Sequence, residues 1–304
     1  MTTFWKKPVV ACLGAVFCTL LWGTAFPFIK LGYRAFAVAG DDTGGMLLFA
    51  GLRFSLAGLM VLSALCARQR GFARLPKTER IPVLLLGSVQ TLGQYLFTYI
   101  GISFTTGTNT SIITACASFL TVLFAPLFIK GDRLTRRKLL GCALGFGGVL
   151  VMNRGGGFSL DTLLGDALIF MSTVMAAGGN LIAKKATQNR NPVRITAYQL
   201  LFGGLGLVLL GLLTGGRLNL LNAEGVLILL WLALVSAAAF SVWTTLLKYY
   251  PAGKISVFNL LVPVFGTALS GLLLGENVLR LETGLALLFI AGGIVLVNME
   301  RKTT

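Results

Sequence analysis

Three sets of polar side chains recur at helical spacing inside otherwise apolar stretches, and their types suit binding rather than bond cleavage. Gln90, Gln94 and Thr98 recur every four residues, which stacks them on one helix face. Ser111, Thr114, Ser118 and Thr121 follow a three-four-three spacing, and Ser256, Asn259, Pro263 and Ser270 mark a second face of this kind. Amides and hydroxyls there can exchange a water for a hydrogen bond to a solute. They can equally bond one helix to another, at about 0.6 kcal/mol per bond in a membrane. Single Ser and Thr side chains are expected to do the latter or to cap their own helix, whereas Gln90 and Gln94 are expected to line a cavity.

Aromatic rings accompany them. Trp22, Tyr95, Tyr99, Phe240 and Trp243 lie within apolar stretches, and Ser236, Phe240 and Trp243 share one helix face. Such rings either sandwich an apolar or aromatic solute or simply pack. Trp5 and Trp231, nearer the ends of their stretches, suit interfacial anchors. Asn180 follows Gly178-Gly179; paired glycines let a helix bend, so Gly179 is a candidate hinge and Asn180 lines either a cavity or a helix contact. Arg53 and Asp166 lie at similar depths, Arg53 about 10 Å below one surface at about 1.5 Å per residue. A buried Arg requires an anion, so an Arg53–Asp166 pair is expected, with attraction of a substrate carboxylate as the alternative.

What is missing narrows the chemistry. There is no histidine, no acid-rich cluster and no triad of the sort an enzyme site needs, so no enzyme, no metal and no cofactor is expected. No Asp, Glu or His sits near the middle of an apolar stretch; Asp166 and Glu282 are the acids left close to one, which argues against a simple intramembrane proton shuttle. The cysteines Cys12, Cys18, Cys66, Cys116 and Cys142 are odd in number and lack a CxxC spacing, which excludes a disulfide framework.

The elements that must position these groups are transmembrane helices. The chain of 304 residues is 56% hydrophobic and 12% charged, with a mean hydropathy of +0.85, against about 25% charged in a soluble domain. A span needs roughly 20 apolar residues. Ten stretches qualify, at about 9–29, 46–67, 81–102, 107–129, 136–153, 162–183, 194–214, 225–247, 254–274 and 279–298. The first reads as an uncleaved span rather than a signal peptide, because no convincing cleavage site follows it. The net charge of +16 follows the loops: twenty of the 26 basic residues fall on the side of the N-terminus. The positive-inside rule then puts both termini in the cytoplasm, and the charge is a topology signal rather than a nucleic-acid surface.

The chain also repeats itself. Gly147–Asn153 and Gly292–Asn298 match, each preceded by a glycine-acid pair, Gly131-Asp132 and Gly275-Glu276. The shift that aligns the tails lays Ser111 on Ser256, Thr114 on Asn259 and Ser118 on Pro263. The boundary falls near Gly155-Gly156-Gly157, giving repeats 1–154 and 155–304. Each holds five spans, and an odd-numbered unit, duplicated, sits inverted relative to its twin. The expected fold class is thus an all-α integral membrane protein with ten transmembrane helices in two inverted five-helix repeats. Small-xxx-small spacings at Gly141/Gly145 and Gly271/Gly275 suit close helix contacts in lipid.

These residues resemble the drug/metabolite transporter superfamily, in its EamA-type ten-span branch. The likeness rests on Leu20–Lys30, on Leu52-Arg53-Phe54, on Gly165-Asp166 and on the two glycine-acid and Gly-Gly tails. It implies a paired-repeat transporter with a central cavity that exports or exchanges small metabolites such as amino acids or drug-like molecules. The family often carries a proline mid-span in both halves; here Pro263 holds that place and Ser118 stands in the first copy. The partners expected are a small-molecule substrate and the lipid bilayer of the cell inner membrane, without nucleic acid and with homodimer assembly left open. The expected substrate-binding set is Trp22, Gln90, Gln94, Tyr95, Thr114, Ser118, Asn180, Trp243 and Asn259, with Gly179 and Pro263 as hinges. A non-transporting receptor or assembly subunit is the alternative function.

Overall fold

Each of the ten apolar stretches is helical in the computed structural model, which describes residues 4–130, 132–152, 160–274 and 281–299. The helices are α1 (Pro8–Ala35), α2 (Thr43–Gln69), α3 (Lys77–Leu86), α4 (Gln94–Ile102), α5 (Gly107–Phe128), α6 (Arg136–Met152), α7 (Leu163–Thr187), α8 (Pro192–Leu213), α9 (Ala223–Tyr249), α10 (Ala252–Ser256), α11 (Leu261–Leu274) and α12 (Leu281–Asn298). No strand occurs among the described residues. Seven helical runs there are long and apolar enough to cross a membrane, and Ile112–Phe128 and Gly284–Asn298 are shorter apolar helices. Gly131, Asn153, Gly155–Gly157, Gly275 and Glu276 lie outside the described residues, as do the side chains of Ser111, Ser270 and Glu282.

Helix starts follow local chemistry. Asp42 accepts the backbone N–H of Gly45 at 2.7 Å, Thr106 that of Asn109 at 3.1 Å, Asn191 that of Val193 at 3.0 Å and Asn222 that of Gly225 at 3.0 Å. Each satisfies an N–H that the first helical turn leaves open. Two runs are broken internally. A π-helical segment, Gly87–Gly93, joins α3 to α4. A 3₁₀ turn, Val257–Leu260, joins α10 to α11. Pro263 explains the second break: it lacks an N–H, and in a continuous α-helix its ring would press on the Asn259 carbonyl four residues back.

Glycines set the tightest contacts. A Cβ at Gly51 would sit 2.4 Å from Val208 N, at Gly58 2.5 Å from Leu201 N, at Gly204 2.4 Å from Ser55 N and at Gly211 2.6 Å from Leu48 N. α2 and α8 thus run antiparallel with their backbones in contact, through glycines that alternate between the helices. The pair α6 and α12 does the same: a Cβ at Gly141 would meet Gly293 O at 2.7 Å, and one at Gly293 would meet Gly141 O at 2.5 Å. These are the two most extensive helix pairings, followed in order by α1 with α9, α1 with α11, α7 with α5, α2 with α9, and α7 with α4.

Hydrogen bonds gather the connections at two ends. At one end Lys248 Nζ donates to Arg190 O at 2.8 Å, Lys184 Nζ to Tyr250 O at 2.8 Å and the Tyr198 hydroxyl to Ala73 O at 2.9 Å. There Arg194 also clasps Glu79, at 2.8 and 2.6 Å. At the other end Asn222 Nδ2 donates to Ala35 O at 2.7 Å. The connections that carry Lys184, Arg190, Arg194 and Lys248 therefore meet at one end.

The α2–α8 contact predicts unequal responses to one chemical change. Gly58→Ala forces a methyl into the α8 backbone and should lower stability by about 1–3 kcal/mol. Gly147→Ala, on α6 with nothing within 4 Å of the new Cβ, should be neutral or stabilising by up to about 1 kcal/mol. Thermal unfolding of the two variants in detergent checks this; equal midpoints would contradict it.

Candidate functional site

α9 turns Phe240 and Trp243 onto one face, three residues apart, toward Trp22 of α1. Trp22 meets Phe240 and Trp243 edge-on, with ring centroids at 5.4 and 5.0 Å. From Phe240 the line of rings continues to Phe54 of α2 at 6.2 Å, to Tyr95 of α4 at 4.4 Å and to Tyr99 at 6.2 Å. Six rings from four helices thus form one continuous strip. Cys18 Sγ, one turn before Trp22, donates to Ala239 O at 3.3 Å and fixes α1 against α9.

Amides close the Trp243 end. Trp243 is 1% exposed, and its indole N–H donates to Asn180 Oδ1 at 3.0 Å. Asn180 Nδ2 in turn lies 3.5 Å from Thr121 Oγ1. Beside it Gly179 carries the side chain of Gln90: a Cβ there would sit 2.7 Å from Gln90 Cβ. The glycine before Asn180 thus makes room for an amide from the π-helical segment. A π-turn spaces residues more widely than an α-turn and often marks functional positions.

Two polar atoms in this region, Trp22 Nε1 and Gln90 Oε1, are buried and unbonded, as is Asn259 Oδ1 in the 3₁₀ turn. A buried polar atom without a partner costs about 1–3 kcal/mol, and such atoms in a folded protein call for an explanation. They offer one donor and two acceptors.

Other expected site residues serve elsewhere. Ser118 donates to Ser256 O at 2.7 Å, tying α5 to the end of α10. Thr121 donates to Ala117 O at 2.7 Å within its own helix. Thr114 is exposed and donates to Thr110 O at 2.7 Å. Gln94 is half-buried, and its backbone carbonyl accepts from Thr98, whose hydroxyl also pairs with Ser172 at 2.7 Å. Gln90 and Thr98 both face α7, although the π-helical segment removes the simple four-residue register expected of them.

The expected Arg53–Asp166 pair does not form. Asp166 is cupped by neutral donors: the hydroxyl of Thr105, that of Thr162 at 2.9 Å and Asn109 Nδ2 at 3.2 Å to both carboxylate oxygens. Arg53 instead donates from Nε to Ser236 Oγ at 2.8 Å and lies 5.0 Å from the centre of the Phe54 ring. The connection before α5 and the first turn of α7 fold together and satisfy the carboxylate locally, so it has no need of a cation from α2.

Three features escaped the sequence patterns. The Thr91 hydroxyl donates to Gln199 Oε1 at 2.7 Å, linking the π-helical segment to α8. Thr196 and Gln199, three apart on α8 and both fully buried, were the available signal. Tyr33, near the end of α1, has a buried hydroxyl beside the Tyr99 phenol that makes no hydrogen bond of good geometry. No group of three metal-binding side chains exists among the described residues. A separate groove of about 270 Å³, lined by Leu75, Arg80, Val83, Leu84, Tyr198 and Phe202, includes none of the site residues.

A model of the EamA-like transporter family matches residues 9–154 and again 163–299. Similar curated proteins include a "Probable amino-acid metabolite efflux pump" of Salmonella typhimurium, 29% identical and covering 91% of each chain. Its namesake in Escherichia coli is 27% identical, again covering 91% of each. An "Uncharacterized transporter" of Bacillus subtilis is 27% identical over 84% of this chain and 79% of its own. A crystal structure with 20% identity superposes with a TM-score of 0.79, covering 96% of this chain and 97% of that one, and shares the fold.

The Trp243–Asn180 bond is testable by a double-mutant cycle. Trp243→Phe and Asn180→Ala should each destabilise the protein, with a coupling of about 0.6–1.7 kcal/mol, the range for hydrogen bonds between membrane helices. Denaturation of the four proteins in mixed micelles measures it. A coupling indistinguishable from zero would remove the bond from the account of the site.

Proposed function

The chain belongs to the EamA-like transporter family, and we propose that within it this protein exports small amphipathic or zwitterionic organic solutes by alternating access. It is a multi-pass membrane transporter; substrate, direction and mechanism are the finer reading. The observation that carries it is the buried strip of rings and unbonded polar atoms, because both halves of the chain build it. Trp22, Phe54, Gln90 and Tyr95 come from the first half, and Asn180, Phe240, Trp243 and Asn259 from the second. A site at the junction of two repeats is where alternating exposure places a substrate.

The helix pairings support the repeat. Numbering the ten stretches as spans, α2–α8 pairs the second spans of the two halves and α6–α12 the fifth, as helices on a two-fold axis would pair. The contacts of α1 with α9 and α11 have counterparts in those of α7 with α4 and α5. The family model's two matched stretches, 9–154 and 163–299, lend support to repeats 1–154 and 155–304. Five spans per repeat require an in-plane axis, hence inversion, and the basic loops favour cytoplasmic termini. In this reading Gly179 and the Pro263 break are the hinges. The printed names of two relatives favour export and amino-acid-like cargo. Against phosphorylated cargo stands the lack, among the described residues, of a second cation as deep in a span as Arg53.

In liposomes, the purified protein should support saturable uptake or counterflow of at least one aromatic or zwitterionic amino acid. Gln90→Ala should weaken it about tenfold, the loss of roughly one hydrogen bond. In a cysteine-free background, Cys at Gln94 or Asn259 should react with a membrane-impermeant thiol reagent and be protected by that solute. A folded protein inert towards a broad metabolite panel, with both positions unreactive, would favour a receptor or assembly subunit.

A further inference from the structure

Arg53 is 2% exposed and lies ten residues into α2, about 15 Å from its start at 1.5 Å per residue. Its guanidinium is a cation with donors only. A buried charge without compensation costs several kcal/mol, yet no carboxylate of the described residues comes within ion-pair distance of it. Its one hydrogen bond among them uses Nε, on Ser236 Oγ at 2.8 Å. That leaves the two terminal amino groups, whose planar fork matches a carboxylate in two parallel bonds.

The surroundings of Arg53 are aromatic and hydroxylic, with no acidic side chain of the described residues paired to it. Tyrosines continue from the ring beside Arg53: Tyr95 lies 4.4 Å from Phe54 and Tyr99 6.2 Å from Tyr95, centroid to centroid, and Tyr33 packs on Phe49 of the same helix at 5.4 Å. The Tyr33 hydroxyl is buried without a hydrogen-bond partner of good geometry, with the Tyr99 phenol nearby. These phenols are donors, and donors beside a cation stabilise an incoming negative charge. Phe54, the ring next to Arg53 in the chain and 5.0 Å from its Cζ, belongs to the aromatic strip. The cationic group therefore terminates the same surface that Trp22, Phe240 and Tyr95 form.

We infer that Arg53, with Tyr33 and Tyr99, recognises the carboxylate of an organic substrate whose apolar or aromatic body lies along the Phe54–Phe240–Trp22 rings. The inference rests on the transporter reading and narrows its substrate to a solute with one carboxylate. It gives the buried guanidinium a transient counter-ion, present when the carrier is loaded.

The test uses the purified full-length protein and two probes of one shape, 3-phenylpropionate and its uncharged amide, read by quenching of tryptophan fluorescence and by thermal shift. Wild type should bind the carboxylate roughly 10–100-fold more tightly than the amide, the value of a charge-assisted pair. Arg53→Gln should bring the two to near equality by weakening the carboxylate far more than the amide, and Tyr33→Phe should lower the same acid-to-amide ratio. Should Arg53→Gln fail to fold, Arg53→Lys keeps the charge without the fork and should retain only part of the preference. The acid-to-amide ratio in wild type needs no variant. Equal binding of the two probes, no binding of either, or an unchanged ratio in a folded Arg53→Gln protein overturns the assignment. Flux of other solutes in liposomes would then still uphold the transporter reading. Carboxylate binding without flux of any solute would sink that reading and leave the Arg53 site standing.

Discussion

The backbone contact between α2 and α8 is the constraint on which the other contacts depend. Lipid gives helices no hydrophobic reason to associate, so close packing and interhelical bonds must do it. Gly51 and Gly58 on one helix and Gly204 and Gly211 on the other remove the side chains that would hold the backbones apart. Their alternation leaves one antiparallel register. That register faces Ser55 towards Gly204 and brings Arg53 and Phe54 to the side where α9 packs, within reach of Ser236 and Phe240. A slip of one residue would rotate Arg53 by about 100°, away from the tyrosines.

Whether a polar side chain is satisfied separates two roles that composition cannot. Ser118, Thr121 and Thr98 all end on carbonyls or hydroxyls; they hold helices together or cap their own turn. Trp22, Gln90, Asn259 and Tyr33 leave a buried atom unbonded, at about 1–3 kcal/mol each. A fold with dense glycine packing elsewhere had room to bury apolar residues at those positions. In the proposed function, a passing solute accounts for such atoms at the meeting of the two halves.

Much of this was legible in the chain. Apolar length found the helices, because a membrane leaves the backbone no other way to satisfy itself over such a stretch. The Gly179-Asn180 pair and the Phe240–Trp243 face were legible because each depends on spacing within one helix. Contacts between helices were not. Arg53 and Asp166 matched in depth, but depth says nothing of rotation, and Thr105, Thr162 and Asn109 reached the carboxylate first. Thr114 shared a stripe with Ser118, yet the first is exposed and the second buried, since α5 presents only part of that face to α10. The π-helical segment had only its bounding glycines, Gly87 and Gly93, to announce it.

The two internal breaks do not correspond to each other, and that asymmetry bears on mechanism. Counted by repeat, the π-helical segment Gly87–Gly93 lies in the third span of the first half, whose counterpart α9 is an unbroken helix of 27 residues. The 3₁₀ turn Val257–Leu260 lies in the fourth span of the second half, whose counterpart α5 runs 22 residues without a break. Inverted halves with identical shapes would be symmetric across the membrane and would face neither side. A carrier of this kind can open to one side only if its halves differ in conformation, and the difference must reside in elements with more than one acceptable backbone. A widened turn that can tighten, beside Gln90, and a tightened turn that can relax, at Asn259, are such elements. Each carries an unbonded amide oxygen, so in the proposed mechanism substrate contact and helix conformation would be joined in the same few residues.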